Sequence, residues 1–159
     1  MVFPDGSMQE GNFVNGVPSG HGKFTAPGAE MTYEGNHSED GNRDGEGEMK
    51  FNDGRSYKGT FERGNPHGEG KLIAANGDVY EGHFVNGRQE GRGKHTQTCG
   101  RVVEGDWMNS LPNGQVKETT SEGQTFEGTY ENGKRSQGKI VFPSGRSYVG
   151  GFVNNAPSG

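Results

Sequence analysis

The sequence has few of the apolar residues from which a thick globular core is built. Only 26% of its 159 residues are hydrophobic, and no apolar run is long enough to span a bilayer as a helix. A single cysteine, Cys99, excludes an internal disulfide, and the N-terminus does not read as a signal peptide. These absences favour a thin structure in a reducing, cytoplasmic setting.

Basic clusters are also missing. The 16 lysines and arginines are outnumbered by 21 acidic residues, which gives a formal net charge of -5. No segment gathers enough positive charge to hold a phosphate backbone or an anionic membrane surface. The composition therefore disfavours nucleic acid and bare membrane as partners.

Glycine is abundant, and its spacing is regular. The 31 glycines are interleaved with aromatic residues in a pattern that recurs every 22 to 24 residues, which a disordered linker has no reason to show. The pattern aromatic-Glu-Gly-x-aromatic places repeat starts at Gln9, Tyr33, Tyr57, Tyr80, Val103, Phe126 and Tyr148. Residues 1–159 are therefore predicted to form a single repeat array. It has about six full repeats, starting near residues 9, 33, 57, 80, 103 and 126, with partial repeats at 1–8 and 148–159.

Each repeat carries two turn signals. The first is an Asn-Gly-like pair such as Asn86-Gly87, and the second ends in a glycine such as Gly77. Two turns in each repeat leave two short strands, and no segment keeps apolar residues at helical spacing. The sequence predicts an all-β fold, an open antiparallel meander of β-hairpins.

The turns also predict strand register. A two-residue loop at Arg63-Gly64 would place Tyr57 opposite Gly70, so that the ring lies over bare backbone. The second turn must then have an odd number of loop residues, because an even number would send alternate tyrosines to opposite faces. A three-residue loop ending in a left-handed glycine meets this requirement.

The same register predicts a polar face of paired charges opposite the aromatic residues. Five pairs of opposite charge are expected across neighbouring strands: Glu48 with Lys58, Lys71 with Glu81, Lys94 with Glu104, Lys117 with Glu127 and, if an extra residue is bulged out, Lys23 with Glu34. On its other side, Lys58 is expected beside Glu69. Exposed pairs contribute about 0.2–1 kcal/mol each, so they mainly specify register.

Two stretches carry a family resemblance. YKGTFERGNPHGEGKL, starting at Tyr57, and YEGHFVNGRQEGRGKH, starting at Tyr80, resemble the MORN (membrane occupation and recognition nexus) repeat, and the resemblance covers essentially the whole chain. It implies an elongated, twisted single sheet with a groove. In most proteins with related repeats, such as junctophilins and ciliary radial-spoke proteins, the repeat docks or scaffolds and catalysis lies in another domain. The resemblance therefore implies a non-enzymatic scaffold in a cytoskeletal or ciliary assembly, cytoplasmic and cytoskeleton-associated.

Several repeats depart from this pattern. The departures are Gln9 at a leading aromatic position, an extra residue before Gly41, a fifth copy with Val103, Ser110, Val116 and Glu118, and a sixth copy that is one residue short and has Ser136 at a glycine position. They question the continuity of the groove between about His95 and Gln124.

Catalytic chemistry has little support in the sequence. The five histidines fall at different phases of the repeat and pair with no cysteine at metal-ligand spacing. Glycine pairs such as Gly91-Arg92-Gly93 lack the lysine and hydroxyl of a phosphate loop. The sequence predicts no enzyme activity, no cofactor and no metal site.

The aromatic rows are the candidate binding surface. A sheet one layer thick cannot cover both of its faces, so part of the row is expected to stay open as a groove for an extended or helical peptide. Alternatively, the rings only cover glycines and hold the repeats together. The predicted partner-binding residues are Tyr57, Phe61, Tyr80, Phe84, Trp107, Phe126, Tyr130, Tyr148 and Phe152. Trp107, the only tryptophan, is the preferred hot spot.

Two other binding modes stay open at this point. The chain starts and stops within a repeat, so it is either a piece of a longer array or a protein whose uncapped terminal strands pair with another copy as a homo-oligomer. The alternative function is a membrane-apposition module that recognises acidic phospholipid, which the acidic composition disfavours.

Overall fold

The computed structural model describes all 159 residues, and its fold is all-β. Fourteen strands form one antiparallel sheet in sequence order, so that each strand pairs with its neighbours in the chain. The strands are β1 Met8–Val14, β2 Val17–Thr25, β3 Met31–His37, β4 Arg43–Phe51, β5 Ser56–Glu62, β6 Asn65–Ile73, β7 Val79–Val85, β8 Arg88–Thr96, β9 Val102–Met108, β10 Leu111–Thr119, β11 Thr125–Glu131, β12 Lys134–Val141, β13 Ser147–Val153 and β14 Ala156–Pro157. The predicted antiparallel meander is confirmed.

Helical structure is limited to one short turn. A 3-10 turn at Pro27–Ala29 joins β2 to β3 and takes up the extra residue of that repeat, which the sequence predicted as a strand bulge. No helix in the structure has the length and apolar character that crossing a membrane requires.

The first turn of the repeat is built as the Asn-Gly signal predicts. Asn86 has φ 48° and Gly87 has φ 79°, and equivalent pairs such as Asn132 and Gly133 have the same left-handed geometry. Two successive positive φ angles define the hairpin turn whose twist matches that of the flanking strands. The second repeat is the exception, because its extra residue produces a longer turn in which the Ser38 N–H donates to the Asn42 carbonyl at 2.9 Å.

The second turn has the predicted three-residue loop. The Phe51 N–H donates to the Arg55 carbonyl at 2.8 Å, and Gly54 ends the loop with φ 94°. The predicted partners on the aromatic side of this turn are confirmed: Met49 with Tyr57, His95 with Val103, Glu118 with Phe126 and Ile140 with Tyr148. Four of the predicted charge pairs also lie directly opposite: Lys23 with Glu34, Glu48 with Lys58, Lys94 with Glu104, and Lys117 with Glu127.

The predicted register of the first hairpin is wrong. Tyr57 lies opposite Leu72 rather than Gly70, because the second strand takes two additional residues between Pro66 and Gly70 as a bulge. Gly68, with φ 82°, supplies the left-handed residue of this bulge. The contact between ring and glycine is nevertheless present, since a Cβ on Gly70 would lie 2.6 Å from the Tyr57 ring.

The same two-residue shift corrects the surroundings of Lys58. Lys58 lies opposite Glu48 as predicted, but its partner on the other side is Lys71 and not Glu69. The Glu48 carboxylate forms its ion pair along its own strand, with the Lys50 ammonium at 3.3 Å. The register prediction therefore holds across the second turn and fails across the first.

The chain divides into two compact units. The first unit comprises Met1–Gly77 with Phe84–Gly87, and the second comprises Asp78–His83 with Arg88–Gly159. We call the side of each unit that carries the aromatic rows the aromatic face, and the opposite side the polar face. The organisation of the whole chain as a single array stays a prediction.

A row of rings forms the core of the first unit. Phe61 packs edge-to-face on Tyr33 and Tyr57 with centroid distances of 5.2 and 5.0 Å, and Tyr57 packs on Phe84 at 5.1 Å. Edge-to-face rings of this kind add to the stabilisation from buried apolar area. The leading aromatic of each repeat is thus held between the second aromatic of its own repeat and that of the next.

The second unit has the same kind of core, with one change. Phe126 contacts Tyr130 and Phe152 at 5.5 and 5.2 Å. In the irregular fifth repeat, Val103 replaces the leading aromatic and is 2% exposed, while Val116, which is 3% exposed, replaces the glycine that such a ring would cover. The two departures therefore belong together, because the added valine stands where the ring is missing.

The outer edge of β1 is partly paired. The Gln9 N–H donates to the Met1 carbonyl at 2.8 Å, and Val2 forms a bridge with Met8. This edge is therefore less open than the sequence suggested. At the other edge, β14 ends in Pro157, which has no backbone N–H to donate.

Candidate functional site

The predicted partner-binding aromatics lie in the core of the two units. All are buried except Tyr148, which is half-buried: Tyr57, Phe61, Tyr80, Phe84, Trp107, Phe126, Tyr130 and Phe152. In this structure the rings contact each other and the glycines beneath them. These contacts are the ones expected if the rings cover glycines and hold the repeats together. Whether they also bind a partner stays a prediction.

The hydroxyls of Tyr33 and Tyr57 are satisfied within their own repeat. The Tyr33 hydroxyl donates to the Asn36 carbonyl at 2.8 Å, and the Tyr57 hydroxyl donates to the Thr60 carbonyl at 2.9 Å. Burial raises the pKa of each phenol to about 12, so both rings are neutral at physiological pH. Each tyrosine therefore completes a local hydrogen bond that fixes its ring on the sheet.

Trp107 forms one wall of a cavity on the aromatic face of the second unit. Its indole Nε1 donates to the Gly93 carbonyl at 3.1 Å, and its ring packs edge-to-face on Tyr80 at 5.2 Å. The cavity, which we call the Trp107 cavity, is also lined by Arg101 and by Leu111, which is 46% exposed. Tryptophan and arginine are enriched in protein-binding hot spots, and Leu111 adds exposed apolar surface beside them.

A buried ion cluster stands next to the Trp107 cavity. The Glu118 carboxylate, 2% exposed, accepts from Arg101 Nε at 2.7 Å, from the nearer terminal nitrogen of Arg135 at 2.9 Å, and from the Tyr130 hydroxyl. Burial alone would raise the pKa of Glu118, but the bonds from Arg101, Tyr130 and Arg135 outweigh it and hold the pKa below its ordinary value. We call these four residues the Glu118 cluster.

Sequence reasoning noted Glu118 only as a charge in an apolar column. The available signal was the position of its partners, because an arginine lies 17 residues away on each side, at Arg101 and Arg135. In the structure, Arg101 directly precedes β9, Glu118 lies on β10 and Arg135 lies on β12, with β11 between them. Two guanidiniums and one carboxylate leave the Glu118 cluster with one positive charge in excess.

The first unit has an arginine at the equivalent repeat position. Arg43 lies opposite His37, as Arg135 lies opposite Tyr130. The Arg43 guanidinium lies 5.4 Å from the centroid of the Tyr33 ring, and that of Arg135 lies 5.0 Å from the centroid of the Phe126 ring. The two arginines are therefore placed alike on the aromatic face of their respective units.

The surroundings of Arg43 differ from those of Arg135. Arg43 has no carboxylate partner in the structure, and it lines a cavity, the Arg43 cavity, together with Gln9, Phe24 and His37. His37 is 9% exposed, and its Nδ1 is buried without a hydrogen-bond partner. Burial lowers the pKa of both His37 and Arg43. Sequence reasoning identified neither residue as a site.

The other titratable groups do not assemble into a metal site. No group of three or more His, Cys, Asp or Glu side chains is positioned to hold a metal ion. His67 and His95 pair instead with single carboxylates, those of Glu62 at 3.2 Å and Asp78 at 3.8 Å. Cys99 is exposed and unpaired.

Comparison with solved structures finds a similar chain. It is the G-box domain of the microcephaly protein CPAP, whose structural analysis "suggests a role in centriole elongation". The match covers 96% of this chain and 97% of that chain, with 18% identity and a TM-score of 0.46. At these values the similarity carries no argument about function. A comparison with curated protein sequences gives no significant match.

The sequence matches the family model of the MORN repeat six times. The matched segments are residues 10–28, 38–54, 57–79, 80–97, 104–123 and 126–145, which together make up more than half of the chain. The segments follow the hairpins of the meander, with both turn types in the places that the repeat requires. The chain belongs to the MORN-repeat family.

Proposed function

We propose that this chain is a non-enzymatic scaffold that binds a protein segment on its aromatic face. The observation that carries the proposal is the Trp107 cavity, where a fixed indole, a partly exposed leucine and a guanidinium meet at an open surface. Aromatic and arginine side chains in such a place supply most of the binding energy of protein interfaces. A partner that covers Leu111 would also remove exposed apolar surface from water.

In this proposal, the nine predicted aromatics mainly form the base of the binding surface. Because eight of them are buried, a partner would contact the residues that surround them and only the accessible edges of the rings. Rigid rings fixed by hydrogen bonds lose little conformational entropy on binding. The proposed contact residues in the second unit are Trp107, Leu111 and Arg101, with Tyr130 lining the same cavity. Phe126, Tyr148 and Phe152 are proposed to continue the binding surface.

The proposed setting is a cytoskeletal or ciliary assembly in the cytoplasm. It is supported by membership of the MORN-repeat family, whose members often dock or scaffold in such assemblies. The single unpaired, exposed Cys99 is compatible with a reducing compartment. The direct check is the position of a fluorescently tagged full chain in ciliated cells, and a uniform or secreted distribution would contradict this setting.

The binding proposal is tested with a pair of surface variants. Leu111→Asp places a charge at the Trp107 cavity, while Val149→Asp places one on the polar face, where Val149 is 73% exposed. Both variants are expected to fold as the wild type does by circular dichroism, because both positions are on the surface. Affinity capture followed by mass spectrometry should lose specific partners with Leu111→Asp only. Equal capture by all three proteins would contradict the proposal.

Phospholipid binding can be tested with the same wild-type and variant proteins. No observation in the structure favours the membrane-apposition alternative, and the net charge of -5 opposes it. Co-sedimentation with phosphatidylcholine vesicles, with and without phosphoinositide, should leave the chain in the supernatant. Phosphoinositide-dependent pelleting that survives moderate salt would favour the alternative.

Self-association through the terminal strands stays a separate prediction. The C-terminal strand β14 is two residues long, and both of its residues are exposed. Sedimentation velocity over a range of concentrations should show a shift towards a larger species. A monomer at all concentrations would contradict this prediction.

A further inference from the structure

The Arg43 cavity and the Glu118 cluster occupy equivalent places in the repeat. Phe24 lies opposite Tyr33 in the first unit, as Glu118 lies opposite Phe126 in the second. In the second unit, the side chain at this position supplies the carboxylate that neutralises Arg135. In the first unit, the side chain is a phenylalanine, and Arg43 faces a cavity.

From this internal comparison we propose that the Arg43 cavity binds an acidic side chain of a partner protein segment. Inserted beside Arg43 and His37, a glutamate or aspartate would take the place that the Glu118 carboxylate holds in the second unit. The inference rests on the proposed scaffold function and adds the chemistry of one contact on the partner.

Charge is the first argument for a carboxylate. A half-buried guanidinium stacked on a ring has lost part of its hydration, and no carboxylate of the chain replaces it. In the second unit, the comparable guanidiniums of Arg101 and Arg135 each have a carboxylate partner, because each holds one oxygen of Glu118 within 3 Å. Guanidinium and carboxylate form strong charge-assisted hydrogen bonds because their donor and acceptor geometries match.

The buried His37 is the second argument. It also lines the Arg43 cavity and is the repeat equivalent of Tyr130, whose hydroxyl donates to Glu118. Its Nδ1 has no partner, although buried polar atoms are rarely left unpaired. Of the other charged groups near the cavity, His21 adds to the positive potential at His37, and Asp44, next to Arg43 in the chain, raises the pKa of Tyr33 and so adds negative potential. The cavity itself is lined by Arg43 and no acidic side chain.

The test uses the full chain and two small probes. N-acetylglutamate amide carries the proposed carboxylate, and N-acetylglutamine amide is its neutral isostere. Titration at constant ionic strength is followed by the NMR signals of the His37 and Tyr33 rings. We expect saturable shifts with the glutamate probe in about the millimolar range, because so small a ligand buries little surface. The glutamine probe should bind at least about tenfold more weakly.

Substitutions distinguish this site from general charge attraction. Arg43→Gln should abolish the shifts, while Arg55→Gln should leave them unchanged, because Arg55 is an exposed arginine already paired with Asp53. Phe24→Glu should also abolish binding, since it supplies the carboxylate internally and so copies the Glu118 cluster. Phe24→Gln introduces a side chain with the shape of that glutamate but without its charge. This variant should therefore still bind the glutamate probe.

Three results would overturn the inference. They are equal shifts with both probes, glutamate binding that survives Arg43→Gln and Phe24→Glu, and Arg43-dependent binding to phosphoinositide vesicles without binding to the glutamate probe. None of these results bears on the scaffold proposal, which is tested separately by the capture of partners that depends on Leu111 in the second unit. Partner capture that is unchanged by Leu111→Asp, together with intact glutamate binding, would contradict the scaffold proposal alone.

Discussion

Arg43 and Arg135 occupy the same place in the repeat and have opposite surroundings. Each guanidinium lies over the leading aromatic of its own repeat, Tyr33 or Phe126. Arg135 is neutralised by Glu118, whereas Arg43 faces a cavity that is also lined by His37, whose Nδ1 has no hydrogen-bond partner. In this chain the same cross-strand pairing forms with either Phe24 or Glu118 at this repeat position, and the residue there decides whether the arginine is neutralised from within the chain.

The two units also differ in how their cores are filled. In the first unit, tyrosine rings cover glycines, as Tyr33 covers Gly47 and Tyr57 covers Gly70. In the second, the Val103 and Val116 pair replaces one ring and its glycine. A thin core thus accepts large changes at single positions when the facing position changes with it.

The largest expected effect comes from removing the carboxylate of the Glu118 cluster. Glu118→Leu leaves the Arg135 side chain, 10% exposed, without a counter-ion inside the second unit. Breaking a buried ion pair from one side typically costs about 3–5 kcal/mol. Urea denaturation should show this loss of unfolding free energy, while the matched variant Glu127→Gln on the polar face should stay within about 0.5 kcal/mol of wild type. A loss as small as that of the control would contradict the assigned role of Glu118.

The valine pair gives the next largest effect. Val103→Tyr alone places a ring against Val116, and Val116→Gly alone leaves a cavity, so each change should destabilise the second unit. The double variant restores the tyrosine and glycine pair found at Tyr80 and Gly93 in the repeat before it. A double-mutant cycle should give a coupling energy of about 1–3 kcal/mol in favour of the double variant. Additive effects would show that the two departures are independent.

The sequence predicts the regular parts of this fold well, because they depend on local rules. Positive φ at Asn86 and Gly87, the three-residue second turn and the pairing of Met49 with Tyr57 all follow from turn chemistry and the alternation of faces. The bulge at Gly68 was missed, since a glycine two residues after Pro66 has the same appearance in a strand and in a bulge.

The candidate site was harder to predict than the fold. The aromatic columns were identified, but the exposure of each ring depends on contacts between repeats that the pattern does not contain. The Glu118 cluster forms only when residues from three strands come together. The Arg43 cavity forms because Phe24 occupies the repeat position that Glu118 occupies in a later repeat. Such sites become visible only when equivalent positions are compared in three dimensions.

Acidic pH should affect the cavity of the first unit. Burial lowers the pKa of His37, so below its ordinary value of 6.5 the unfolded chain binds more protons than the folded one. Stability is therefore expected to fall as pH drops below about 6.5. Thermal unfolding at pH 7 and pH 5 should show a smaller loss for His37→Phe than for wild type. An equal loss of thermal stability in both proteins would assign the pH effect to other groups. His95, whose pKa is also lowered by burial, would be the first of these to substitute.

The smallest expected effect is on the polar face, where two lysines in the same row across the strands differ in their neighbours. Lys117 lies opposite Glu104 on one side and Glu127 on the other, whereas Lys58 lies opposite Glu48 and Lys71. Lys117→Glu converts two attractive pairs into repulsive ones and should cost up to about 1 kcal/mol at low salt. Lys58→Glu exchanges one attraction for another and should be nearly neutral. Chemical denaturation in urea at 20 mM and 1 M salt measures both, because screening should remove the Lys117 effect. A larger loss for Lys58→Glu would contradict the register of β5 against β6.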